Sequence, residues 1–259
     1  MKVYEFHQFV TVEKGPVNAA IIDLLQGDIF LAPGECIEKF EKRQYTEISD
    51  IISFFKKENL IIEVEEGTWI PRIDLTNPSK EKYPPLILEV EEGLSVDLLI
   101  SFITEIKDNI SKIHYYGSQG FEPKIHGVTV ERMEKNFQAC IEISMVDENF
   151  SKVEEAFYRF NMQYNSCWGK RIAVTRDGKI RPCIYSEMVL GDIQKEKPLE
   201  ILKIARKLRK ITKDRVKICQ DCELRYVCFD CREIAGRKGG DLFSPNPNCN
   251  YNPYKGTMV

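Results

Sequence analysis

An α+β fold is predicted for this chain of 259 residues, on three observations. Residues 1–75 group short strand-like runs around two helical patterns. Residues 80–162 alternate strand and helix. From residue 163 the chain becomes loop-rich and gathers seven of its nine cysteines: Cys167, Cys183, Cys219, Cys222, Cys228, Cys231 and Cys249. Three parts are therefore expected, 1–75, 80–162 and 163–259, the last built around metal.

In the first part, Val3 to Val12 reads as a strand and Ala19 to Leu25 as a second apolar run. Gln26-Gly27-Asp28 makes a turn into a strand over Ile29–Pro33. One helix is expected from about Glu35 to Arg43. A second, Glu47 to Glu58, carries Ile48, Ile51, Ile52, Phe54 and Phe55 on a helical period, with Thr46 as its cap. Leu60–Val64, a Glu66-Gly67 turn and Thr68–Ile70 read as a hairpin. Strands, two helices and a wing make a winged-helix arrangement. The second helix begins with acidic residues, a poor face for phosphates.

Asp74 to Lys80 reads as a linker. Pro85–Val90 is then a strand, Ser95–Ile110 an amphipathic helix and Ile113–Gly117 a strand. A helix is expected near Val128–Asn136, a strand over Ala139–Ser144 and a helix over Glu148–Phe160. This is a small α/β layer of about three partly parallel strands, far short of an eight-stranded barrel. Lys170–Thr175 and Lys179–Cys183, joined by Arg176-Asp177-Gly178, form a β-hairpin with a cysteine near each end. Pro198–Ile211 is helical.

Composition narrows the function. An apolar fraction of 43% supports a real core, and a net charge of −3 gives no electrostatic basis for binding nucleic acid or a membrane surface. Glu5 and His7 interrupt any signal-peptide pattern, and no apolar run reaches spanning length. A cytoplasmic location is expected, where thiols stay reduced and nine cysteines argue for metal ligation over disulfides. The tandem pairs Cys219/Cys222 and Cys228/Cys231 carry that argument, because two thiolates three positions apart can close on one metal centre. Iron–sulfur is the favoured reading. A tetrahedral zinc site at those four thiols is the chemical alternative. Cys36 and Cys140 lie in apolar-periodic stretches and read as buried small hydrophobes.

The pattern C-x10-G-x4-C from Cys167 to Cys183, then C-x2-C-x5-C-x2-C and Cys249, resembles the SPASM domain. This is the auxiliary iron–sulfur module behind the catalytic barrel of many peptide-modifying radical SAM enzymes. The family spaces its sixth cysteine at x3; here Cys231 comes one residue earlier. The run Asp221-Cys222-Glu223-Leu224-Arg225-Tyr226-Val227-Cys228-Phe229-Asp230-Cys231-Arg232 and the ending Cys249-Asn250-Tyr251-Asn252-Pro253-Tyr254 are similar to SPASM peptide maturases of grasp-with-spasm systems. The resemblance implies that Cys219, Cys222, Cys228 and Cys249 hold one 4Fe–4S cluster. It gives Cys167, Cys183 and Cys231 to a second. The usual fourth ligand of that second cluster has no match in residues 158–166. That site is open at one iron, completed by another group, or absent, and Cys140 fills the gap only if the fold brings it close. The resemblance also makes residues 1–75 a leader-peptide-binding unit and 80–162 a shrunken remnant of the barrel.

A radical SAM enzyme needs a CxxxCxxC motif. Before Cys167 only Cys36 and Cys140 are available, 104 positions apart, so radical generation by this chain is rejected. His7, His114 and His126 fall in no HExxH, and no GxSxG or phosphate-cradling loop occurs. The resemblance thus implies an accessory protein of ribosomal-peptide modification that binds a precursor peptide and works with an ATP-grasp ligase. The alternatives are an iron–sulfur enzyme acting through an open cluster site and a zinc-stapled winged-helix regulator.

Overall fold

The computed structural model describes residues 1–75, 85–117, 127–143, 150–237 and 239–258. The linker residues Thr76–Lys80, the start of the helix expected at Glu148, Ser144 and His126 lie outside them.

The chain opens with β1 (Lys2–Phe6) and β2 (Val10–Lys14), followed by β3 (Asn18–Asp23) and β4 (Asp28–Pro33). Strands β2, β3 and β4 form an antiparallel meander. Helices α1 (Gly34–Glu41) and α2 (Ser49–Lys57) lead to β5 (Ile61–Glu65). The apolar run Ala19–Ile22 is buried on both faces, which explains why it lacks alternation. Ala19 and Ile21 meet Ile37, Phe40, Ile52 and Phe55 of the helices. Ala20 and Ile22 point the other way, toward Tyr158, Leu224, Val227 and Cys228. At the β3–β4 turn Gly27 holds φ +78, and a Cβ there would stand 2.7 Å from the Val153 carbonyl oxygen.

Three expectations in this part are corrected. The single strand over Val3–Val12 is two, broken by a turn in which Val10 N–H donates to His7 O at 3.0 Å. Thr46 does not cap α2; it sits in a 3₁₀ turn (Tyr45–Ile48), and α2 starts without a side-chain cap. The wing hairpin does not form. Strand β5 pairs antiparallel with β1 instead, Glu66 N–H extends that ladder to Met1 O at 2.7 Å, and Thr68–Ile70 is not strand.

The second part begins with β6 (Leu86–Glu91), α3 (Val96–Ile106) and β7 (Ile110–Tyr116). The stretch expected to be helical near Val128–Asn136 contains β8 (Thr129–Arg132), parallel to β7. The Lys112–Glu131 ion pair, 2.7 Å, fastens it there. Conversely, the strand expected over Ala139–Ser144 is helix α4 (Phe137–Ile143), which Asn136 opens by accepting Ala139 N–H at 3.0 Å on its side chain. A short apolar run of this length fits either period, and the cap decides. Helix α5 (Glu155–Gln163) follows.

Then come β9 (Arg171–Val174), β10 (Lys179–Arg181), β11 (Gly191–Asp192) and α6 (Pro198–Arg209). The hairpin β9–β10 forms as expected. One six-stranded sheet runs β11-β10-β9-β6-β7-β8, with β9, β6, β7 and β8 mutually parallel, so strands from both sides of residue 162 share it. Leu86, Leu88 and Val90 of β6 pack one face against Leu99, Phe102 and Ile103 of α3 and Ile201 and Leu202 of α6. The opposite face presents Glu89, Tyr116 and Ala173 toward the cysteines. The chain closes with α7 (Arg232–Arg237) and the small hairpin of β12 (Tyr251–Asn252) and β13 (Thr257–Met258). Among the described residues no helix is long and apolar enough to cross a membrane.

Candidate metal centre

The seven cysteines gather into two groups that interleave in sequence. Cys219 opens a 3₁₀ turn, Cys222 follows it, Cys228 lies in the next loop and Cys249 precedes β12. These four line one small cavity together with Lys213, Leu224, Arg225 and Tyr251. Cys167 precedes β9, Cys183 follows β10 and Cys231 immediately precedes α7. These three share a buried apolar cluster with Trp168 and Ile234. The Cys167 and Cys231 thiols are hydrogen-bonded to each other, and Cys183 lies close enough to both to feel their charge.

Each group is held by a polar scaffold. Glu89 is wholly buried on β6 and accepts from Arg171 Nη1 at 2.9 Å, Tyr116 Oη at 3.1 Å and the Ile184 amide at 2.7 Å, which pins the segment just after Cys183 to the sheet. Asn165 accepts the amides of Cys167 and Trp168 at 3.0 and 2.8 Å on its side-chain oxygen, and its side-chain nitrogen donates to Asp230. Asp230 takes Arg232 Nε at 2.7 Å, and Arg232, almost fully buried, donates onward to the carbonyls of Leu242 and Ser244. The first cysteine and the second CxxC pair are thus tied by one buried network.

Electrostatics follow burial. Desolvation pushes the Cys219 thiol up to about 11 and those of Cys183 and Cys222 up to about 12. Burial raises Cys228 too, opposed by Lys213. Lys213 is itself only 8% exposed and donates to Cys228 Sγ at 2.7 Å. Burial disfavours its charge, but Cys228, Cys219 and Asp230 outweigh this and its pKa is raised. A fixed ammonium therefore stands against the four-cysteine cavity. Spacing gives no hint of Lys213 or Glu89, which approach only through the fold. Asp230 lies between two cysteines and could have been singled out for that.

Residues 167–223 match the SPASM family, an iron–sulfur cluster-binding domain.

The matched SPASM segment takes in Cys167, Cys183, Cys219 and Cys222, and the remaining three cysteines follow it. A curated relative, the AdoMet-dependent heme synthase of Methanosarcina barkeri (strain Fusaro / DSM 804), is 34% identical over 85 residues. The alignment covers 32% of this chain and 24% of the relative, so the chain spans about a quarter of that protein. The crystal structure of selenomethionine BtrN in an open conformation aligns with 57% of each chain at 14% identity. Its TM-score is 0.18, too low to bear on the fold.

The donor set fits the SPASM chemistry. Among the described residues no three His, Cys, Asp or Glu side chains converge on a single-ion site. Cys219, Cys222, Cys228 and Cys249 line one cavity, an all-thiol donor set of the kind that holds iron–sulfur clusters. Were these four thiols to bind such a cluster as thiolates, the buried Lys213 ammonium, which donates to Cys228 Sγ, would offset part of their negative charge. Neither of the described histidines, His7 and His114, lines the four-cysteine cavity. His114 on β7 faces Glu131 at 3.2 Å, and its pKa is lowered by burial.

Proposed function

We propose that this chain is an iron–sulfur accessory protein of ribosomal-peptide modification. In this reading the N-terminal unit captures an extended precursor peptide and the cysteine-rich end holds one or two 4Fe–4S clusters. Cys219, Cys222, Cys228 and Cys249 would hold one cluster, and Cys167, Cys183 and Cys231 would contribute to the other. A cluster supplies electron transfer or structural stapling. The chain's own residues supply the peptide groove and the buried charge that keeps the ligands in place.

The observation that carries this reading is a groove of about 440 Å³ between β1 and β2, lined by Tyr4, Phe6, Val12, Phe40, Tyr45 and Arg72 among others. Among the described residues β1 pairs only with β5 and β2 only with β3, so each keeps an edge to which no described strand is paired. On β1 the Tyr45 hydroxyl fills that edge, accepting Tyr4 N–H at 3.2 Å and donating to Tyr4 O at 3.3 Å. A peptide added as a strand would take over those backbone bonds, with alternate side chains entering the groove. The meander that offers β2 also packs on the cysteine centre through Ala20, Ile22 and Cys228, and Glu13 of β2 is paired with Arg225. In this reading the same meander would couple peptide capture to the cysteine-rich end.

Co-expression of the full chain with a candidate precursor peptide and an ATP-grasp ligase, followed by anaerobic affinity capture, tests the proposal. Recovery of the peptide, with slowed amide exchange in residues 2–12, supports it. Recovery of neither partner, or exchange unchanged along β1 and β2, refutes it.

A further inference from the structure

The group of three cysteines lacks a fourth thiol in its own stretch of chain, and the fold delivers one from elsewhere. Helix α4 lies over the site. Its Phe137 and Ile141 pack against the apolar cluster formed by Cys167, Trp168, Cys183, Cys231 and Ile234. The Phe137 ring meets Tyr185 at 5.2 Å between centroids, and Arg237 of α7 stacks over Phe137 at 4.2 Å. The Tyr185 hydroxyl accepts the Asn136 amide at 2.6 Å and so anchors the start of the helix two residues beyond Cys183. Cys140 follows Phe137 by three positions and precedes Ile141 by one, which puts it on the helix face that meets the cluster. Its thiol is half-buried, raised by desolvation and by the nearby charge of Cys231, and it senses Arg171 and Glu89 on the adjoining strands. Cys140 therefore reaches, from a fourth segment of the chain, the side of the sheet that carries Cys167, Cys183 and Cys231.

We propose that Cys140 is the fourth thiolate ligand of the cluster held by Cys167, Cys183 and Cys231. The inference rests on the iron–sulfur reading of this end of the chain. It explains how a shortened middle region retains a complete site: α4 replaces the ligand that the SPASM pattern draws from just before its first cysteine. On binding, Cys140 releases its proton to solvent, since ligands must be deprotonated. A cluster closed by four thiolates has no iron open to substrate, which favours a structural or electron-transfer role over substrate binding at that iron. Glu89 is not the closing ligand, because Arg171, Tyr116 and the Ile184 amide already occupy its oxygens.

The test is anaerobic reconstitution of the full chain with iron and sulfide, read by metal and sulfide analysis, EPR and cysteine alkylation with mass spectrometry. Wild type is expected to take up about eight irons per chain, as two four-iron clusters. Cys140 is expected to alkylate in the apo chain and at least about tenfold more slowly once loaded. Cys140→Ala is expected to take up fewer irons and to show an oxidised three-iron EPR signal, whereas Cys36→Ala matches wild type. Full labelling of Cys140 in a chain that carries both clusters overturns the inference even if Cys140→Ala does not fold. Iron at about four per chain, with Cys219, Cys222, Cys228 and Cys249 protected and Cys140 labelled, overturns it while leaving the iron–sulfur reading intact. A wild-type chain with no iron or sulfide overturns both.

Discussion

Replacing Lys213 with Met removes a buried ammonium that donates to a cysteine of the four-thiol cavity. Its Nζ donates to Cys228 Sγ at 2.7 Å, and the side chain is nearly sealed from water. A hydrogen bond to a charged partner contributes about 1.5–3 kcal/mol. Hydrogen bonds to cluster sulfurs stabilise the more negative, reduced state and raise the potential. Converted at about 59 mV per tenfold for one electron, a bond made wholly to the reduced state sets an upper limit of about 60–130 mV on the fall. The assay is EPR-monitored redox titration of the reconstituted chain, with iron measured on the same sample. Met is similar in length and apolar, so the cavity wall is kept. Lys213→Arg retains the charge and is expected to shift less than Met does. A Lys213→Met chain with full iron and a potential within about 20 mV of wild type would refute the placement of Lys213 against a ligating sulfur.

Other perturbations test the scaffold. Glu89→Ala leaves Arg171, the Tyr116 hydroxyl and the Ile184 amide without their acceptor, and should cost about 3–5 kcal/mol, seen as a Tm lowered by about 10 °C; Glu89→Gln, which keeps an acceptor, should cost less. Ile218, directly before Cys219, has φ +67 and is partly exposed, so Ile218→Gly should raise stability by about 1 kcal/mol in urea unfolding despite the usual entropic cost of glycine. In the apo chain, Cys183 and Cys219 keep their protons up to about 12 and about 11, whereas unfolded thiols ionise from about 9. The folded state then holds more protons than the unfolded state as pH rises past 9, so stability falls. Summed over the two groups the loss is on the order of 3 kcal/mol between about pH 8.5 and 10.5, and the Cys183→Ser, Cys219→Ser double variant should lose visibly less in anaerobic urea titrations.

The sequence by itself determined the parts whose signals are local. The tandem CxxC pairs announce metal because three-residue spacing is a property of the chain and not of its fold, and the hairpin at Lys170–Cys183 follows from alternation around Asp177-Gly178. The α+β class follows from period in the same way. Where a segment's period was short, tertiary context decided. Thr129–Arg132 became strand because β7 offered an edge and Lys112 a charge for Glu131. Phe137–Ile143 became helix because Asn136 capped it, and Ile61–Glu65 paired with β1 in preference to its neighbouring run. Burial of Ala19–Ile22 on both faces required a second layer that is more than 130 residues distant in the chain. The same holds at the metal centre. The sorting of interleaved cysteines into four and three, the approach of Cys140 on α4, and the placing of Lys213 and Glu89 beside their thiols all join residues far apart in sequence. Proximity of that kind is set by which faces bury against each other, a property of the packed layers and not of any one segment.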